Sequence, residues 1–180
     1  MRRTLIRMSS IAIAVTGVLG CAGMSGPTPP TVPSHLQPPA DEALFLEALA
    51  TGVQVYECVP KAGQPGSHEW AFRAPDAQLA DRSGRSLGKH YAGPTWEASD
   101  GSRVLGEVKA RDSGPDASAI PWLLLGAKCT FGNGTFSKTR SIQRVATKGG
   151  AAPTEACGSG NVNQFARVPY TATYYFYRSR

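Results

Sequence analysis

Residues 41–180 predict an all-β fold, an antiparallel β-sandwich or partly open barrel of about eight to ten short strands. Three features carry this expectation. Asp100-Gly101 and the run Gly132-Asn133-Gly134 fall between extended segments, and such residues adopt the left-handed backbone that closes tight hairpins. Several short segments alternate in polarity with the period of two that a half-buried strand requires. Helical spacing, in contrast, appears only in residues 41–50 (DEALFLEALA).

In chain order, residues 41–50 place Leu44 with Ala48 and Phe45 with Leu49 four apart, as a helix would. Their position directly before Thr51-Gly52 and a strand favours a first hairpin arm instead. Residues 53–56 (VQVY) and 68–73 (HEWAFR) alternate, and residues 81–84 (DRSG) read as a turn. Residues 90–98 form an extended stretch bent at Gly93-Pro94, followed by the turn 99–102 and a strand over 104–110. A loop over 113–119 leads to the apolar run IPWLLL (120–125), suited to a buried strand. The turn at Asn133-Gly134 leads into a strand over 135–147, and the chain ends on the aromatic strand 168–177.

The N-terminal 40 residues have a different character. Arg2, Arg3 and Arg7 precede an apolar stretch, residues 8–19, that is shorter than the ~20 residues needed to span a bilayer. This is the pattern of a cleavable export signal. Its end, Val18-Leu19-Gly20-Cys21, resembles the lipobox of bacterial lipoproteins, which implies a diacylglycerol on Cys21 and a membrane anchor for the mature chain. Ala22 after that cysteine favours the outer membrane, with the domain facing the periplasm. Residues 21–40 then read as a lipidated cysteine and a linker with six prolines over 22–40, a composition that favours extended polyproline II over a core.

The formal charge of +6 falls to about +3 once the three signal arginines are removed, and the basic residues that remain are scattered. No nucleic-acid footprint is therefore expected. With Cys21 acylated, Cys58, Cys129 and Cys157 remain, and an oxidising compartment favours one disulfide and one leftover thiol. Cys58 ends a strand-like run and Cys157 lies in the Gly-rich loop 149–160, where a cross-link helps most. Cys58–Cys157 is the expected pair, with Cys129 buried and reduced and Cys129–Cys157 as the rival. No spacing of Cys or His suggests a metal site, and no cofactor is expected.

Four stretches together, GVQVYEC (52–58), GKHYAGPTWEASDGS (88–102), IPWLLL (120–125), and IQRVATKGGAAP (142–153) with VPYTATYYFY (168–177), resemble the family catalogued as domain of unknown function 3455. Its members are exported bacterial proteins and secreted fungal ones. The resemblance covers nearly all of residues 41–180. It implies cysteines at the positions of Cys58 and Cys157, in keeping with the pairing above, and implies no reaction.

The densest group of chemically capable residues is His90, Tyr91, Trp96, Glu97 and Asp100: a base, orienting carboxylates and stacking faces within eleven residues. On a straight strand His90 and Trp96 share a face but lie roughly 20 Å apart. Glu97 and Glu107, on two arms of one hairpin, are the pair a glycosidase would need. Gln143, Arg144 and Tyr175 are further candidates for ligand contact. No nucleophile elbow, phosphate loop or nucleotide fingerprint is present. The expected function is accordingly a non-catalytic envelope module that binds a glycan or a protein partner. A hydrolase using His90 with Glu97 or Asp100, and a purely structural tethered domain, are the alternatives.

Overall fold

The computed structural model describes residues 26–180. The expected signal segment and Cys21 lie outside the described residues. Eight strands follow in order: β1 (Glu42–Pro60), β2 (His68–Ala80), β3 (Ser86–Tyr91), β4 (Thr95–Ala98), β5 (Arg103–Asp112), β6 (Trp122–Phe131), β7 (Ser141–Gly149) and β8 (Phe165–Ser179). Each pairs antiparallel with the next, and β8 returns to pair with β1, from Glu42↔Ser179 to Glu57↔Phe165. The all-β antiparallel expectation is met by one sheet closed on itself, an up-and-down barrel rather than two packed sheets.

Residues 42–50 are strand because β8 supplies a full ladder of partners to them. A bulge between Leu44 and Leu46 explains their helix-like spacing. It leaves Leu44 on the outer face, while Phe45 and Leu46 pack against the inner core. The extended stretch over residues 90–98 is two strands, not one: β3 turns back on itself at residues 92–94, and His90 becomes the register partner of Trp96. The strand expected over 135–147 begins only at Ser141, because residues 134–139 are turns that fold Phe136 inward as a fully buried plug.

Inward-pointing residues follow the two-residue period. From β1 come Ala48, Ala50, Gln54 and Tyr56, from β8 Tyr170, Ala172, Tyr174 and Phe176, and from β4 Trp96. Trp96 fits because its neighbour on the adjacent strand β5 is Gly106: a methyl group there would stand 2.8 Å from the indole.

A second apolar cluster lies outside the barrel. Val145, Tyr175 and Tyr177 are buried there, with the partly buried Val32, Leu44 and Trp122 packed against them. The Pro-rich segment is thus not free along its whole length. Leu36, in a short 3-10 turn (Ser34–Leu36), is fully buried, and its carbonyl accepts a hydrogen bond from Gln143 Nε2 at 2.7 Å. Tyr177 donates its hydroxyl to Gln143 Oε1, and His35 Nε2 lies 3.2 Å from Asp112. This strap is why four consecutive residues, Tyr174 to Tyr177, are all buried: both faces of β8 are covered.

Cys58 and Cys157 form a disulfide across a sequence separation of 99, with Cα atoms 5.7 Å apart. In the chain-entropy account a loop of about 100 residues gains up to about 4.7 kcal/mol. Cys129 is free, as expected, but exposed rather than buried. The β6–β7 ladder ends at Gly126↔Ser141, so residues 128–131 extend past the covered part of the sheet.

Because the strap is held mainly by one apolar side chain, Leu36→Ala is expected to destabilise the protein by about 2–5 kcal/mol. Urea unfolding checks this; a loss under about 0.5 kcal/mol, the range of ordinary surface changes, would show that the strap adds nothing.

Candidate functional site

The barrel has unlike ends. At the end where β1 begins and β8 finishes, Phe136 seals the interior and packs on Phe176 with ring centroids 4.7 Å apart. Asp100 locks this plug. Its Oδ1 accepts from Ser102 N and Oγ, its Oδ2 accepts from Thr135 N and Oγ1, and Ser102 Oγ accepts from Phe136 N. These four bonds hold the Asp100 carboxyl well below the usual carboxylate range, Ser102 contributing most. Asp100 is therefore a latch between two loops, at the opposite end from His90.

At the other end the interior opens into a cavity of about 450 Å³, bounded by the β3–β4 turn and the β5–β6 loop. This lies within the range of roughly 300–1,000 Å³ typical of small-molecule sites. His90, Trp96 and Arg144 all line it. The antiparallel β3–β4 pairing stacks the His90 imidazole on the Trp96 indole, with centroids 4.3 Å apart and planes inclined by 11°. Tyr174 meets both rings edge-on, at 5.1 and 5.3 Å. His90 is almost fully buried, and its Nδ1 lies 2.8 Å from the Thr95 carbonyl oxygen. A carbonyl only accepts, so Nδ1 carries the proton and Nε2 keeps a lone pair. Burial pushes the His90 imidazole down to about 3, the Thr95 hydrogen bond opposes this, and the charge of Arg144 adds to it. The ring is neutral at physiological pH.

Arg144 reaches the cavity wall from β7. Its Nε and Nη2 both donate to the Pro121 carbonyl, at 3.1 and 2.8 Å, which leaves Nη1 without a hydrogen-bond partner among the described residues. Its charge also lowers the hydroxyls of Tyr56, Tyr170 and Tyr174, although burial raises each of them overall. Tyr56 donates to the Gly150 carbonyl at 2.7 Å. Gln54 Nε2, Trp96 Nε1 and the Tyr174 hydroxyl, on residues that line the cavity, are buried without a partner.

The other candidate residues lie elsewhere. Glu97 and Tyr91 point outward from β4 and β3, with the Tyr91 hydroxyl donating to Glu97 Oε2 at 2.7 Å and Lys89 Nζ 3.3 Å from Oε1. The hydrolase grouping of His90 with Glu97 or Asp100 is thus taken apart: alternation puts Glu97 on the opposite face of the sheet from His90. Glu97 pairs with Arg103, and Glu107 is four residues beyond that partner, so the glycosidase pair does not form. Gln143 and Tyr175 belong to the outer face, Gln143 under the strap and Tyr175 donating to Glu47 Oε1 at 2.9 Å. Among the described residues no group of three or more His, Cys, Asp or Glu side chains is placed to hold a metal ion.

Missed from the sequence were Gln54, Tyr56, Phe72 and Arg111. A signal for the first two exists: Ala48, Ala50, Gly52, Gln54 and Tyr56 keep one parity, and the small residues at its start mark the inward face.

The architecture defines a closed antiparallel β-barrel with an internal cavity at one end. The chain belongs to the family described as protein of unknown function (DUF3455), whose model matches residues 39–178. No curated protein and no solved structure matches it.

The buried neutral His90 makes a pH signature. In the unfolded chain it takes up a proton below about 6.5, whereas in the folded protein it does so only near 3, so stability falls as pH drops through this window. The slope is at most about 1.4 kcal/mol per pH unit. Urea unfolding between pH 7 and pH 5, above the range where carboxylates titrate, should show a stability loss that is absent in His90→Gln. Equal slopes in the two proteins would contradict a buried neutral imidazole.

Proposed function

We propose that this protein is a non-catalytic binding module, exported from the cytoplasm and anchored through Cys21 to the outer membrane, that holds a small ligand inside its barrel. The observation that carries the binding reading is the cavity itself. Its walls combine aromatic faces with a few fixed polar groups, the usual make-up of a ligand pocket. The separation of His90 from Glu97 and Asp100 speaks for binding over hydrolysis, since no carboxylate stands beside the imidazole to orient it or share its proton.

The same geometry narrows the ligand. Trp96 and Tyr174 are fully buried, so they offer no open platform on which an extended glycan would stack. A molecule that enters the barrel, small enough for about 450 Å³, suits them better. Export draws support from the Cys58–Cys157 disulfide, which persists in oxidising compartments.

Filling the cavity tests the reading. Val108 is half-buried on the cavity wall, and Val108→Trp is expected to occupy the space while leaving the closed end untouched. In thermal unfolding against a panel of mono- and disaccharides and small organic acids, a ligand present at a hundredfold excess over Kd should stabilise the natural protein by about 2.7 kcal/mol. The filled variant should gain nothing. A ligand that shifts both proteins equally binds elsewhere and removes the cavity from the account.

A further inference from the structure

The charges around the cavity are one-sided. Arg144 lies in its wall and Arg73 and Arg111 at its exposed rim, while no Asp or Glu lines it among the described residues. Arg73 is neutralised by Glu57, at 2.6 Å. Two further carboxylates on the strands beside it are turned outward and occupied: Asp112 by His35 and Asp76 by Arg167. Arg111 and Arg144 have no ion-pair partner among the described residues.

A half-buried guanidinium normally meets an acid, because removing its charge from water is expensive unless it is paired. Arg144 has instead only one backbone carbonyl, which fixes its orientation and leaves its Nη1 end open. Its field reaches His90, Tyr56, Tyr170 and Tyr174, so it acts on the polar groups of the cavity rather than on the surface. Next to it lie apolar walls: Trp96, Ile120 and Leu123, with the exposed Phe72 at the rim.

We infer that the cavity selects a small organic anion, a carboxylate, sulfonate or phosphate on a flat apolar body, with the anionic group on Arg144, Arg111 adding attraction at the entrance, and the body against the aromatic wall. A guanidinium binds such groups through paired hydrogen bonds, and the low dielectric of a half-buried site strengthens them. This inference rests on the cavity reading above and adds the sign of the ligand's charge.

Two fluorescent probes that differ by one sulfonate separate the two ideas: 1-anilinonaphthalene-8-sulfonate and its uncharged analogue N-phenyl-1-naphthylamine. The natural protein should bind the sulfonate at least tenfold more tightly, and added salt should erode that preference by screening. Arg144→Met should remove the preference while leaving the neutral dye bound. Arg111→Gln, on the exposed rim where it cannot disturb the core, should reduce it by a smaller factor. Val108→Trp should abolish binding of both dyes. Equal affinity for the two dyes in the natural protein, or a preference that survives Arg144→Met and Arg111→Gln, overturns the anion inference and leaves the cavity reading standing. If neither dye binds, or both bind the Val108→Trp protein as before, both readings fall.

Discussion

Every other feature of this protein depends on the ladder between β1 and β8. Without it the sheet would have two open edges, each offering unpaired backbone groups to other chains, and it would have no inside. An eight-stranded ring is just wide enough for its side chains to fill the interior or to leave room for one small ligand. Residue size on the inward parity decides between the two. Toward the closed end, β1 contributes Ala48 and Ala50, whose small side chains leave space for Trp96, Phe136 and Phe176 from other elements. Toward the open end the inward residues are Gln54, His90 and Arg144, which are polar and do not fill the section.

Polar groups inside a barrel lower its stability unless they are paired, and three of these are. His90 donates to Thr95, Arg144 to Pro121 and Tyr56 to Gly150, so each side chain is oriented by a backbone carbonyl of a strand end or loop near the mouth. Gln54 Nε2, Trp96 Nε1 and the Tyr174 hydroxyl are unpaired, and a buried unmet hydrogen bond costs about 1–3 kcal/mol. A fold that served only to be stable would hold a leucine at position 54. Departures from local stability rules of this kind concentrate at functional sites, which is why the proposed binding site is placed at the open end.

The fold was largely legible in the sequence because its signals are local. Asp100-Gly101 marks the β4–β5 turn, alternation marks the long strands, and the positions of Cys58 and Cys157 mark the cross-link. The site was legible only in part, because its assembly depends on which face each residue takes. His90 and Trp96 belong to it, but their separation along a supposed single strand is the wrong measure: the β3–β4 turn makes them register partners. Arg144 and Gln143 are adjacent in sequence and looked alike as ligand contacts, yet alternation sends Arg144 into the cavity and Gln143 out under the strap. The strap itself was hidden, since a Pro-rich segment carries no periodicity from which Leu36 would stand out. The aromatic residues on both faces of β8 were its one trace, for Tyr175 and Tyr177 had to be covered by something.

The supports of the open end explain where the constraints of the molecule are placed. The loop from residue 150 to residue 164 rises beside the mouth, and three contacts hold it to the end of β1: the disulfide, the Tyr56–Gly150 bond, and the reciprocal backbone bonds between Cys58 and residues 163 and 164. The disulfide therefore braces the end of β1, two residues beyond the cavity-lining Tyr56. The strap comes up to the same end, since His35 meets Asp112 where β5 enters the loop at the mouth. On the proposed anchoring, the stretch from Cys21 to Val32 reaches at most about 35 Å at ~3.1 Å per residue. A tether that short, leaving a strap fixed beside the mouth, would keep the cavity close to the bilayer on that proposal.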